Sequence, residues 1–490
     1  MKIGLAGFNV DVELLTEAAE YLTEDDSSAL TPETISAAYA RISRDPRPVD
    51  ELRMGAIRNV AKARASNEQI VFGLGHASVA EHAVFNFDIM GVSRLAIEAI
   101  EHARLCSYTE KSQRYVRLGE DFVVPQEVVE AGLEKDFRNM VADQHDLYCR
   151  ILEGLLNHML VQTPDATKEE QNTIEGRAKE DARYVTSLAV SGQLGMTCNA
   201  RNLEYMIQRL LRHPLHEAKT IGALLYSEAR SVAPSLLRHL EPTREQLEAL
   251  HELRSLALEV ENSGEGLREP ETWDARLLKW DPDADSAVMA ALLHDHVGMD
   301  LETCERLWRH MEPEQGNRLY KAVFGSLQAW DAPPRAFELA RFRFELVVSA
   351  SCFAQLKRHR MATILPQAYD PFLGCTMPSS ILEAGLQDLF EAATSLSQKM
   401  YDELVRRDLP FAAPYALAQA HRRRVVVEMN ARGLYHFSRL RQDGHAQWDI
   451  RAIANRMIAM AKRACPLTMS LACGKDAFEQ RKAATLEKIA

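Results

Sequence analysis

Three potential cations, Arg358, His359 and Arg360, follow an apolar run in the stretch FAQLKRHRMATILPQAYDP. Clustered cations of this kind can hold phosphate or pyrophosphate oxygens, and a guanidinium can do so in bidentate fashion. The alternative for the same three residues is a solvated helix end, where cations suit the helix dipole. Farther along, MNARGLYHFSRLR places Asn430 and Arg432 at the start of an apparent helix. A helix N-terminus favours anions or carbonyl oxygens. His436 lies four residues beyond Arg432 and so on the same face. Other chemistries find less support. His294 and His296, in HDH, resemble a metal pair, but no third ligand accompanies them, so they read as surface residues. The eight cysteines include no CxxC pair, which fits reduced thiols better than a disulfide frame or a zinc site. No GxGxxG occurs, so dinucleotide binding of the doubly wound kind is unsupported.

A chain of 490 residues is long enough for two or more domains with substantial cores. The formal net charge of -12 argues against general binding of nucleic acid polymers and leaves room for a local basic pocket. No apolar run approaches the roughly 18–20 residues needed to cross a membrane. MKIGLAGFNVDVELL lacks a basic start and a small-residue cleavage site, so a cytoplasmic protein is expected.

These residues must be positioned by helices, which most of the chain predicts. TPETISAAYARISR opens with Thr31 as N-cap and Pro32 at the first helical position. REQLEALHELRSLALEVENSGEG is an amphipathic helix ended by Asn262, Ser263 and Gly264, and residues 262–274 read as a linker. ARLLKWDPDADSAVMAALL then begins as MKIGLAGFNVDVELLTEAAEYL does, with a short strand, a turn and a helix. The Met-rich NRMIAMAKRACPLTMSL reads as core. Two stretches repeat. GVSRLAIEAIEHARLCS lies over VVSASCFAQLKRHRMAT at an offset of 256 residues, bringing Ser93 over Ser349. CNARNLEYMIQRLL lies over MNARGLYHFSRLRQ at an offset of 231. Two landmarks in the same order predict a tandem duplication, with repeat 1 at 1–262 and repeat 2 at 275–490.

These landmarks resemble the flavin-dependent thymidylate synthase family. GHASVAEHAVFNFDIMGVSR is similar to its GHxSxxEH motif. LCSYTEKSQRYV is similar to the later part of its signature, in which Arg-His-Arg is followed after seven residues by Ser. DARYVTS with CNAR, and MNARGLYHFSRLR with GHAQWDIR, are similar to its C-terminal blocks. Each repeat departs from the pattern in the opposite way. Repeat 1 keeps Glu110, Ser112, Gln113, Arg114 and Tyr115, and Arg183 stands sixteen positions before Asn199. Its Arg-His-Arg has become His102, Ala103 and Arg104, and Tyr205 and Leu210 occupy the flavin-side His and catalytic Arg positions. Repeat 2 keeps Gln355, Arg358, His359, Arg360, Asn430, Arg432 and His436, with Arg441 eleven after Asn430. Pro366, Ala368, Asp370 and Pro414 stand for its Glu, Ser, Arg and second Arg.

The resemblance implies an α+β fold of two similar units, each a small mixed or antiparallel sheet with long helices. It implies C5 methylation of a uracil nucleotide, dUMP to dTMP, with FAD as cofactor and NADPH and methylenetetrahydrofolate as co-substrates. Arg441 would be catalytic, stabilising charge at the N3/O2 edge of uracil. Gln355, Arg358, Glu110, Ser112, Gln113, Arg114 and Arg183 would bind substrate. Arg358, His359, Arg360, Asn430, Arg432, His436, Ser78 and Glu110 would face the flavin. Family sites lie between subunits, so one composite site per chain is expected, in a homodimer that imitates a tetramer. Two alternatives stay open: the same flavin chemistry on another pyrimidine nucleotide or with another one-carbon outcome, and a non-catalytic flavin- or nucleotide-binding relative. His76 and His82 read either as site residues or as core histidines, and Arg94 and Arg104 as structural ion-pair partners.

Overall fold

A computed structural model describes residues 1–13, 15, 30–42, 44–113, 119–238, 240–263 and 273–488. The chain divides into two compact units. The first comprises Met1–Glu269 and Glu383–Leu417, the second Pro270–Leu382 and Ala418–Ala490. The division differs from a cut in chain order, because residues Glu383–Leu417 cluster with the first unit.

Each unit holds one four-stranded antiparallel sheet. In the first, β1 (Lys2–Phe8), β2 (Val84–Ser93), β3 (Cys106–Glu110) and β4 (Ser191–Asn199) lie in the order β1-β2-β4-β3. In the second, β5 (Ala275–Trp280), β6 (Arg341–Ser349), β7 (Thr363–Pro366) and β8 (Arg422–Asn430) lie in the order β5-β6-β8-β7. Period-2 patterning sets the inward face: Phe85, Phe87 and Ile89 of β2 are buried, as are Val425, Val427 and Met429 of β8.

Short helices follow the same strands in both units. α1 (Arg94–Glu101) is capped by Ser93, whose Oγ accepts from Ala96 N. The Ser93 hydroxyl donates to Glu217 Oε2 at 2.7 Å, and Tyr415 Oη donates to the same oxygen at 2.6 Å. In the second unit α5 (Ala350–Leu356) is capped by Ser349, which donates to Asp449 Oδ2 at 2.6 Å. The 256-residue offset thus marks one device used twice: a serine cap pinned by a carboxylate from a later helix. Those carboxylates sit on α4 (His216–Val232) and α8 (Trp448–Ala464). At the other offset, Asn199 caps α3 (Ala200–Leu211) and Asn430 caps α7 (Ala431–Arg441).

Within the first unit, the 29-residue α2 (Glu134–Gln162) packs against α6 (Gln387–Arg406). A Cβ on Gly154 would lie 2.8 Å from the Leu386 methyl carbons, which explains a glycine in mid-helix. The first helix expected from sequence starts at Glu33, one residue late, and Thr31 Oγ1 still accepts from Glu33 N. The helix expected after β1 falls largely on 14 and 16–29, outside the described residues, as does most of the linker. Met457 and Met469 of the Met-rich segment are in the second core. Among the described residues, no helix is long and apolar enough to cross a membrane.

Candidate active site

In the second unit, α5 is buried along its length and delivers Gln355 into the interior. The chain leaves the helix at Lys357, so the three potential cations meet different surroundings. Arg358 is exposed, His359 is 8% exposed and Arg360 is half-buried. α7 brings Arg441 to this place. Its Nε donates to His359 Nε2 at 2.9 Å, Nη1 to Gln355 Oε1 at 3.1 Å and Nη2 to the Gln355 carbonyl at 3.1 Å. A guanidinium tied at three nitrogens is oriented before any ligand arrives. The Phe437 ring packs edge-on against His359 at 4.8 Å, and His436, exposed, lies edge-on at 5.8 Å.

Because Arg441 Nε donates to His359 Nε2, that nitrogen must carry its lone pair, so His359 is neutral. Burial, then the charge of Arg441 and the nearby His436, hold its pKa well below the ordinary 6.5. In the same unit burial lowers His421 to about 4. The sign of the pH dependence follows. Both imidazoles titrate near 6.5 once unfolded, so below that pH the unfolded chain binds protons that the folded chain refuses. Their contribution is full above about pH 6.5 and is lost as pH falls below it, at about 1.4 kcal/mol per pH unit for each histidine, the loss for His421 ending near pH 4. Urea unfolding between pH 7 and pH 5 should show this loss. His421→Gln should show a shallower decline, and an equally steep one would contradict the assignment.

The other sequence-picked residues of this unit are partly committed elsewhere. Asn430 Oδ1 accepts from Gly433 N at 2.7 Å as the α7 cap. Arg432 donates to the Pro333 carbonyl at 2.8 Å and pairs with Glu338 at 3.1 Å. Asp370 caps a short 3-10 turn, accepting from Phe372 N at 2.9 Å, and lies 3.8 Å from Arg424.

The first unit assembles a different set. Glu110, at the end of β3, forms a buried ion pair with Arg94 of α1, and both side chains are 5% exposed. Sequence reading places Arg94 in an ion pair but misses its partner, because the pairing depends on how β3 returns beside α1. Ser112 is half-buried and Gln113 is buried. Gln113 Oε1 has no hydrogen-bond partner among the described residues. Glu110, Ser112 and Gln113 line one cavity of about 560 Å3, together with Asp121 and Gln193, which no motif flags. Arg183 is buried in a 3-10 turn, Arg183–Val185. Arg114 lies outside the described residues. Ser78, His76 and His82 are exposed, which corrects the core reading of the two histidines. His82 stacks edge-on with Tyr39 at 4.7 Å. Leu210, the counterpart of Arg441, is fully buried in the apolar core, and Tyr205, the counterpart of His436, is exposed. His294 and His296 are exposed.

The sequence model for thymidylate synthase complementing proteins matches residues 27–235 and 276–467. The chain belongs to this family, as a divergent tandem duplication. A UPF0159 protein of Thermoplasma acidophilum is 23% identical over 444 residues, covering 81% of this chain and 86% of its own. A UPF0159 protein of Chlamydia muridarum is 26% identical over 429 residues, covering 82% and 79%. A flavin-dependent thymidylate synthase of Clostridium tetani is 26% identical over 216 residues, covering 43% of this chain and 83% of that one. That relative thus matches less than half of this chain, whereas the family model matches twice, as expected of two family units in sequence.

Proposed function

We propose that the chain is a flavin-dependent methyltransferase that converts dUMP to dTMP, with methylenetetrahydrofolate as carbon donor and NADPH as reductant. The observation that carries this reading is the preset Arg441, held by Gln355 and His359 in the unit that kept Arg-His-Arg. The complementary set, Glu110, Ser112 and Gln113, lines a cavity in the unit that lost it. A catalytic site would draw one set from each kind of unit, supplied by one chain or by two in a homodimer.

The residues fit a flavin dinucleotide in part. Arg358 and His436 are exposed and Arg360 half-buried, a cationic and aromatic group suited to a pyrophosphate and a planar ring. Asn430 and Arg432 already serve the fold, so they would act through the start of α7 more than by direct contact. Ser78, exposed, would meet flavin only from another subunit. Reduced flavin, when bound, supplies the hydride. The chain's own part is to bind and orient. Ser112, Gln113, Arg114 and Arg183 would hold the nucleotide, the arginines against its phosphate. Arg441 would donate to the uracil N3/O2 edge as negative charge develops there, an electrostatic role in a site that needs no protein nucleophile. Gln355 and His359 would keep that guanidinium aimed.

The test has two steps. Purified protein should show a flavin absorbance band, and it should release tritium from 5-tritiated dUMP when given methylenetetrahydrofolate and NADPH. Protein that carries flavin but releases no tritium would overturn the dUMP reading, and protein without flavin would overturn the cofactor.

A further inference from the structure

A second cleft in the first unit, of about 460 Å3, is bordered by Tyr205, Arg209, Arg212, His213, Leu250 and Arg254. None of its described lining residues is a carboxylate. Tyr205 and Arg209 share one face of α3, and Arg212, its C-cap, continues that face at helical spacing. The opposite wall comes from the helix Arg244–Ser263, whose one charged contribution to the lining is Arg254. The Nε atoms of Arg209 and Arg212 are buried and have no hydrogen-bond partner among the described residues. Arg209 is tied at its far end to the Ala99 carbonyl, and Arg254 lies over the Phe411 ring at 4.8 Å. Neither Arg212 nor Arg254 has an ion-pair partner among the described residues, so an anion entering the cleft would meet uncompensated cations.

His213 reports the same field. Its Nδ1 accepts from Leu215 N at 3.2 Å, which fixes a neutral ring. Burial, then the charges of Arg209, Arg254 and Lys219, lower its pKa to about 4. The fold itself does not require these arginines. At the 231-residue offset Arg209 and Arg212 correspond to Leu440 and Asp443, on a helix with the same asparagine cap. These two cations therefore belong to the first repeat alone.

We propose that this cleft binds a small organic phosphate carrying a planar ring, of the nucleoside monophosphate class. Arg209, Arg212 and Arg254 take the phosphate, while Tyr205 and Leu250 cover the ring. The volume suits a ligand of that size. The cleft shares no lining residue with the cavity of Ser112 and Gln113, and the proposal stands whether or not the chain methylates dUMP.

Calorimetric titration of AMP and of adenosine into the full chain at low salt, with no other nucleotide present, tests it. AMP should bind about tenfold more tightly than adenosine, because its phosphate gains charge-assisted bonds. Arg212→Gln and Arg254→Gln should each weaken AMP about tenfold without altering unfolding of the unliganded protein. Arg254 stands on a largely exposed helix, so its variant stays informative even if the other fails to fold. No measurable AMP binding, or unchanged affinity in Arg254→Gln, would overturn the proposal. So would AMP binding that is lost in Ser112→Ala.

Discussion

Arg441→Ala is expected to lower turnover of dUMP by about 10^2–10^3-fold, the usual consequence of deleting one donor aimed at developing charge. The protein should stay folded. Arg441 is half-buried, so water can reach the acceptors it leaves behind, Gln355 and His359. Arg441→Lys should recover little. An ammonium is a compact point charge and cannot span His359 Nε2, Gln355 Oε1 and the Gln355 carbonyl together. Removing Gln355 tests the same arrangement from the other side: Gln355→Ala should lower kcat more than it changes flavin content, because it frees the guanidinium without touching the exposed Arg358 or His436. Single-turnover measurements separate this effect from product release. A loss smaller than threefold for Arg441→Ala would remove Arg441 from the chemistry.

The second large effect is on stability. Arg94→Met should destabilise the first unit by about 3–5 kcal/mol, because it strands the Glu110 carboxylate in a buried place. The cost is that of an uncompensated charge, not the worth of the ion pair. The double variant Arg94→Met/Glu110→Gln should therefore regain most of the loss, since neither remaining group needs a counter-ion. Denaturant unfolding of the four proteins of this cycle measures the coupling. If the double variant were as unstable as the sum of the singles, the pair would not be coupled. The cycle bears on function too, because Glu110 opens the cavity lined by Ser112 and Gln113. A carboxylate held by Arg94 is positioned to shape that cavity.

Local signals made much of this fold readable. Ser93 and Ser349, Asn199 and Asn430 are cap residues, and a cap is specified within a few residues of chain. Their shared offsets marked two repeats, and the structure gives both sheets the same strand order. The erosion of one motif set per repeat was also legible, since Leu210 in place of arginine leaves a residue that can only join the core. Non-local pairings were not legible. Nothing in the composition of residues 383–417 says that Tyr415 reaches Glu217, which places that segment with the first unit. Nor does spacing show that Arg432 is already held by Glu338, or that His359 is buried against Arg441 while its neighbour Arg358 faces solvent. Adjacent side chains at a helix end diverge, and which one turns inward depends on what packs there, in this case Phe437 and Arg441. The cationic cleft beside Tyr205 had no motif at all, because its arginines come from two helices whose meeting the sequence does not announce.

The central claim is that each repeat has kept half of a working site, Arg441 in one and the Ser112–Arg114 stretch in the other. Tritium release from 5-tritiated dUMP, measured for Arg114→Ala and Arg441→Ala made separately, tests it most directly. Each substitution alone should reduce release by about 10^2-fold or more, while Asp370→Ala and Tyr205→Phe, at the eroded counterparts, should leave it within about twofold. If either arginine variant releases tritium at the unaltered rate, the two halves do not complete one site and the account is wrong.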